Sequence, residues 1–201
     1  MHPALALLEF DSVVAGIVAG DAMAKRAPIS ALVAGTVQPG RYLVLVAGDT
    51  ASVEEAIDAG REASGESMLD IVFLPDVHPE VVAAVRGTTV AGAIEALGIV
   101  ETTSVASILE AADGGVKGAA VAIVELRMAD GLGGKGYVLF GGEVQDVEAA
   151  VEIGSGRVPS GHLVRAAVIP SLHPEMTENL EADPRFGGRA GRDQGAPDAA
   201  R

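Results

Sequence analysis

Glu9-Phe10-Asp11-Ser12-Val13 and Glu101-Thr102-Thr103-Ser104-Val105 are two versions of one phrase, 92 residues apart. At the same spacing Asp21 repeats as Asp113 and Lys25 as Lys117. Farther on, Val53-Glu54 returns 94 residues later as Val147-Glu148. Leu74-Pro75 and His78-Pro79-Glu80 return 95 residues later as Ile169-Pro170 and His173-Pro174-Glu175. The offset grows in small steps, as it does when surface loops accept insertions between elements of fixed length. The period is far longer than the roughly 20–50 residues of solenoid repeats. The chain is a tandem pair of domains.

Within each copy the pattern of elements is the same. Ala4–Phe10 is an apolar run of strand length, and Ser12 or Asp11 offers a helix N-cap. Val13, Val14, Ile17, Val18 and Ala22 then recur at helical spacing until Pro28 ends the helix. Ile29–Val37 and Tyr42–Ala47 read as strands joined by the turn Gln38-Pro39-Gly40-Arg41. Asp49–Ala63 predicts a second amphipathic helix, with Ser52 and Glu55 spaced for a capping box. Met68–Leu74 is a fourth strand and Pro79–Val85 a short helix. The order β-α-β-β-α-β is ferredoxin-like, so the fold class is α+β with two such units. The first spans 4–85 and the second 94–180, joined by 86–93; residues 181–201, rich in Gly, Arg, Asp and Pro, are expected to form a mobile tail.

Composition removes several functions. Aromatic residues are 3% of the 201 positions, with no Trp, which leaves few platforms for stacking bases or sugars. The formal net charge of −14 argues against a nucleic-acid partner and against an anionic membrane surface. With no cysteine, disulfides, thiolate zinc sites and cysteine-held iron–sulfur clusters are excluded. No apolar run approaches the ~20 residues that cross a bilayer. Ala4–Leu8 has no basic lead-in and is followed at once by Glu9 and Asp11, unlike a signal peptide. The expected location is the cytoplasm.

Glu101-Thr102-Thr103-Ser104-Val105-Ala106, Ala111-Ala112-Asp113 and Val116-Lys117-Gly118-Ala119 together resemble the opening of bacterial microcompartment shell domains. Asp21-Ala22-Met23-Ala24-Lys25 shows the same frame in the first copy, and Val46-Ala47-Gly48-Asp49 resembles the family's strand–turn–helix. Ile169-Pro170-Ser171-Leu172-His173 is similar to its closing motif. The resemblance covers residues 4–180, in the unpermuted tandem type. Trimeric members are the nearest match, through the turn Pro39-Gly40-Arg41-Tyr42 and the glycine-rich loop Met128–Lys135.

That resemblance implies a homotrimer mimicking a hexamer, tiling a microcompartment shell beside other shell proteins, with a second trimer stacked face to face left open. It implies a central pore lined by Val37, Gln38, Pro39 and Gly40 from the first copy. Met128, Ala129, Asp130, Gly131, Leu132, Gly133 and Gly134 would line it from the second. Lys25 and Lys117 would stand at tile edges. Some trimeric members hold an iron–sulfur cluster through a Cys in the first loop; Gln38 occupies that place here, so no cofactor and no metal are expected. The slots between Pro and His of the closing motif, where many members carry Arg, contain Asp76 and Val77 or Ser171 and Leu172.

Several residues invite sharper chemistry. Gly131-Leu132-Gly133-Gly134-Lys135-Gly136 suggests a phosphate loop, but Tyr137-Val138-Leu139-Phe140 reads as a strand where a helix N-terminus is needed, and Gly136 follows the Lys in place of Ser or Thr. His78 and His173 each precede Pro-Glu at a helix start, where an imidazole can satisfy backbone groups. His2 and His162 have no evident partner. Glu9 and Glu101 occupy identical places in two repeats, whereas catalytic carboxylate pairs differ in environment. Their expected role is structural. The reading is a shell tile with a metabolite pore and no enzymatic reaction; the alternative is a tandem ferredoxin-like protein that binds a small effector.

Overall fold

The computed structural model describes residues 3–88 and 94–181. The first repeat runs β1 (Ala4–Phe10), α1 (Val13–Arg26), β2 (Ala31–Val37), β3 (Arg41–Gly48), α2 (Thr50–Ser64), β4 (Met68–Leu74), α3 (Pro79–Val85). The second runs β5 (Ala96–Thr102), α4 (Val105–Gly118), β6 (Ala122–Met128), β7 (Gly136–Gly142), α5 (Val144–Arg157), β8 (Leu163–Ile169), α6 (Pro174–Glu181). Each repeat makes a four-stranded antiparallel sheet, ordered β2-β3-β1-β4 and β6-β7-β5-β8. Every residue of β1 is buried, which is why it reads as a continuous apolar run and not as an alternation. Residues 89–93 of the expected link and 182–201 of the expected tail lie outside the described residues.

Three local expectations are corrected. The second strand starts at Ala31, because the Ile29 N–H turns back to the Ala27 carbonyl (2.9 Å) and only Ser30 N, at 2.8 Å from Ala47 O, begins to follow the sheet. The cap of α2 is Asp49, not Ser52: Asp49 precedes the first helical residue, and its carboxylate accepts from Ser52 N at 3.0 Å and Ser52 Oγ at 2.7 Å. That hydroxyl lowers the Asp49 pKa.

The third concerns α1. The apolar stripe read along it faces outward: Val14, Ile17 and Val18 are 72%, 53% and 49% exposed. The buried face is Gly16, Ala19, Gly20 and Met23. These small residues let the helix sit close on β3, where a Cβ on Gly16 would stand 2.5 Å from the Tyr42 ring. In α4, the matching helix, both faces are buried, since Val105, Ala106, Ile108, Leu109 and Ala112 are all inaccessible.

The reason lies in how the repeats meet. The face of β1 and β4 turned away from α1 and α2 presents Leu5, Leu7, Val72 and Leu74, and α3 adds Val77 just before it and Val81 within it. These pack with α4 in one apolar cluster that crosses from one repeat to the other. Full burial of each such side chain contributes about 1.5–3 kcal/mol. A separate cluster around Leu8, Phe10, Met23 and Val53 fills the helix side of the first sheet.

Candidate functional site

Polar pins, buried at Glu9 and Asp113 and half-buried at Asp70 and Glu80, fix the register of the joint between repeats. Glu9, fully inaccessible, receives Val105 N–H at Oε2 (2.9 Å) and Arg41 at Oε1 (2.5 Å). Burial pushes its pKa up, against the pull of the Val105 amide and the Arg41 guanidinium. Asp70 accepts from Ser107 Oγ at 2.6 Å and from Ser104 Oγ. Asp113 Oδ1 accepts from His78 N at 2.8 Å, and Glu80 Oε2 from Ile123 N at 3.0 Å. Carboxylates thus meet N–H and O–H donors of the opposite repeat, bonds about twice as strong as neutral ones.

Arg41 also brings the two candidate pore loops together. Beyond Glu9, its Nη1 donates to Thr103 O and Gly134 O, both at 3.2 Å. The turn Val37–Gly40, closed by Gly40 N to Val37 O (3.0 Å), therefore lies beside the loop Met128–Lys135. That loop is tied by Ala129 N to Lys135 O and Leu132 N to Ala129 O, each at 2.9 Å. Gly131, Gly133 and Gly134 adopt positive φ to make this path, and Ala129 does too, at 53°. The strand Gly136–Gly142 follows, so the loop lacks the helix that a phosphate site needs. Val37, Met128 and Asp130 are among the residues lining a groove of about 790 Å³, and Asp130 is exposed. The role of Arg41 was not read from the sequence. The available signal was a basic residue after the loop in each copy, Arg41 and Lys135, with a glutamate in the adjacent strand. Lys135 Nζ indeed stands 2.7 Å from Glu101.

The remaining singled-out residues sort clearly. His78 and His173 each accept a backbone N–H, from Glu80 and Glu175, at 3.3 Å. His162 does have partners: its Nδ1 lies 3.3 Å from Ser104 Oγ and 3.4 Å from Thr103 Oγ1 and Asp70. Ser104 there is the N-cap of α4, buried, with its hydrogen directed at Asp70, so the group is a cap and not a nucleophile. His2 lies outside the described residues. Lys25 is solvent-exposed beside Asp21 (2.6 Å), whereas Lys117 is engaged at the joint by Asp113 (2.6 Å) and the Asp76 carbonyl. Among the described residues no cluster of three or more His, Cys, Asp or Glu could hold a metal, and no helix is long and apolar enough to cross a membrane.

The open faces of the two sheets differ in chemistry. In the first, Val33 and Gly35 on β2 pair with Leu45 and Leu43 and line the apolar groove. In the second, the matching positions on β6 are Glu125 and Arg127, opposite Leu139 and Tyr137. Tyr137 Oη donates to Glu125 at 2.8 Å, and burial together with that acceptor raises its pKa, so the phenol keeps its proton.

The BMC domain family matches the chain twice, at residues 4–77 and 96–172. The bacterial microcompartment shell protein PduT of Citrobacter freundii is 40% identical over 181 residues, covering 90% of this chain and 98% of PduT. The shell protein EutM of Salmonella typhimurium is 34% identical over 86 residues, 42% of this chain and 88% of EutM. The crystal structure of a microcompartment protein from Desulfitobacterium hafniense superposes with a TM-score of 0.76 at 41% identity, over 89% of this chain and 99% of that one. A fused permuted hexameric shell protein shares the fold at a TM-score of 0.56 and 20% identity, over 78% of this chain and 81% of that one.

Proposed function

The chain belongs to the BMC domain family and is a microcompartment shell protein of the tandem type, and from that premise we propose that three copies close head to tail into a pseudohexameric tile with a central pore. The observation that carries this is an unfinished joint at each end of the chain. The outward stripe Val14, Ile17 and Val18 of α1 is the counterpart of the α4 face that docks on the first repeat. The open face of β5 and β8, with α6, is the counterpart of the surface that receives it. Met176 on α6 is 50% exposed, while its counterpart Val81 on α3 is fully buried. A self-complementary head-to-tail surface closes into a ring when its rotation permits.

The tile's place is the microcompartment shell in the cytoplasm, its role is structural, and no reaction is assigned to it. The two loops joined by Arg41 would then meet their symmetry mates around the axis, with Asp130 among the groups facing a passing solute. In the ring Lys25, paired with Asp21 and exposed, would sit at the rim of the joint between chains, within reach of neighbouring tiles. Light scattering in solution tests the reading: the expected mass is three times the 20.2 kDa of one chain, with growth into sheets as the sign of edge contacts. A stable monomer would overturn the ring and return the apolar groove to consideration as an effector site.

A further inference from the structure

The joint within the chain and the one proposed between chains use the same positions, and four of those positions differ in a correlated way. Within the chain, Asp70 reaches the N-terminus of α4, accepts from Ser104 and from Ser107 (2.6 Å), and shares the His162 Nδ1 with Thr103, each at 3.4 Å. Strand pairing and turn bonds identify the counterparts. Arg165 pairs with Glu101 as Asp70 pairs with Glu9. Asp11 N bonds Ser67 O as Thr103 N bonds His162 O, and Ser12 caps α1 as Ser104 caps α4. Between chains, therefore, Arg165 replaces Asp70, Asp11 replaces Thr103, Ala15 replaces Ser107 and Ser67 replaces His162.

One reversal of sign explains all four. A helix N-terminus attracts an anion and repels a cation, so a guanidinium in that place requires a carboxylate beside it. Asp11, next to the cap of α1, supplies one. Ala15 lacks the hydroxyl whose hydrogen a guanidinium could not accept, and Ser67 vacates the volume of an imidazole for the longer side chain. In the single chain Asp11 and Arg165 both stand exposed to solvent.

We propose that Arg165 of one chain pairs with Asp11 of the next, and that this ion pair, set against the Asp70 pocket inside the chain, distinguishes two otherwise equivalent joints. The pairing rests on the ring proposed above. Its consequence is selectivity: a first repeat docked on α1 of another chain would set Asp70 beside Asp11. A second repeat docked on another α4 would leave Arg165 facing a helix N-terminus and the uncharged Thr103.

The test begins with the wild-type chain, whose failure to form trimers would sink the ring and the pairing together. Given trimers, D11R and R165D are weighed across dilution and salt, with circular dichroism to confirm that these exposed positions leave the fold intact. Each single variant should raise the concentration at which trimers form by about tenfold, an effect that shrinks as salt screens it. The double variant D11R/R165D should return to within about threefold of wild type. Single variants that assemble as well as wild type, or a double variant weaker than both, overturn the pairing and leave the ring standing. The neutral variants D11N and R165Q should weaken trimers less than the reversals; equal weakening overturns the electrostatic account.

Discussion

Glu9 pays for its position with a raised pKa, and that gives it a measurable signature. An acid held above its unfolded value binds its proton more tightly when folded, so stability falls as pH rises from the ordinary glutamate range through the raised folded value, then levels off. Glu9→Gln keeps an acceptor for the Val105 amide but cannot titrate. The stability of wild type relative to this variant should therefore grow on going from about pH 8 to about pH 5, read from urea midpoints. A constant difference would mean that Arg41 fully offsets the burial of Glu9. Asp49 acts with the opposite sign and outside this window, because its pKa is lowered and its contribution fades only as pH falls through that lowered value. The glutamates were legible in the sequence as one place in the repeat, but their unlike surroundings were not: Glu9 is fully buried, while Glu101 is partly exposed beside Lys135. Arg41 was not legible, since its three acceptors come from three separate stretches of chain.

At the level of elements, β1 was legible because burial on both faces writes an unbroken apolar run, and β2 and β8, largely exposed in the single chain, were legible by the same apolar composition. The orientation of α1 was not. Where a helix lies close on a sheet, space selects Gly16, Ala19 and Gly20, and the larger apolar residues collect on the face kept for another partner. Periodicity finds the stripe without saying what covers it. The same close packing separates two matched glycines. A Cβ on Gly154 of α5 would stand 2.7 Å from the Ala111 carbonyl of α4, rigid backbone, whereas on Gly60 of α2 it would meet the ends of Leu8 and Met23 at 2.9 Å. Gly154→Ala should cost roughly 1–3 kcal/mol, as overpacking does. Gly60→Ala should be near neutral, since alanine's helix preference of about 1 kcal/mol offsets a small shift of flexible side chains. Thermal unfolding of the two variants decides this: a near-neutral Gly154→Ala would show that the α4–α5 contact can relax, and an equal loss at Gly60 would show that Leu8 and Met23 cannot.

For the molecule as a whole, duplication was the strongest signal in the sequence, and the residue spacing that revealed it also located the two loops. Their side-by-side arrangement needed the fold. If the loops line the passage, three Asp130 carboxylates around one axis repel one another and oppose the entry of anions. Asp130→Asn should shift permeability of assembled shells toward anions while the trimer mass stays the same. Unchanged ion preference would mean that Asp130 faces the groove instead of the lumen. The unlike sheet faces bring a last consequence. Around the proposed ring, the greasy surface of Val33, Gly35 and Leu43 alternates with the polar surface of Glu125, Arg127 and Tyr137. Such a plate coincides with itself after a third of a turn but not after a sixth. A hexagonal vacancy in a shell would admit it in two settings that fill the hole equally well and yet present opposite patterns to whatever approaches, so a facet could store a choice at each vacancy that a sixfold tile has no means to record.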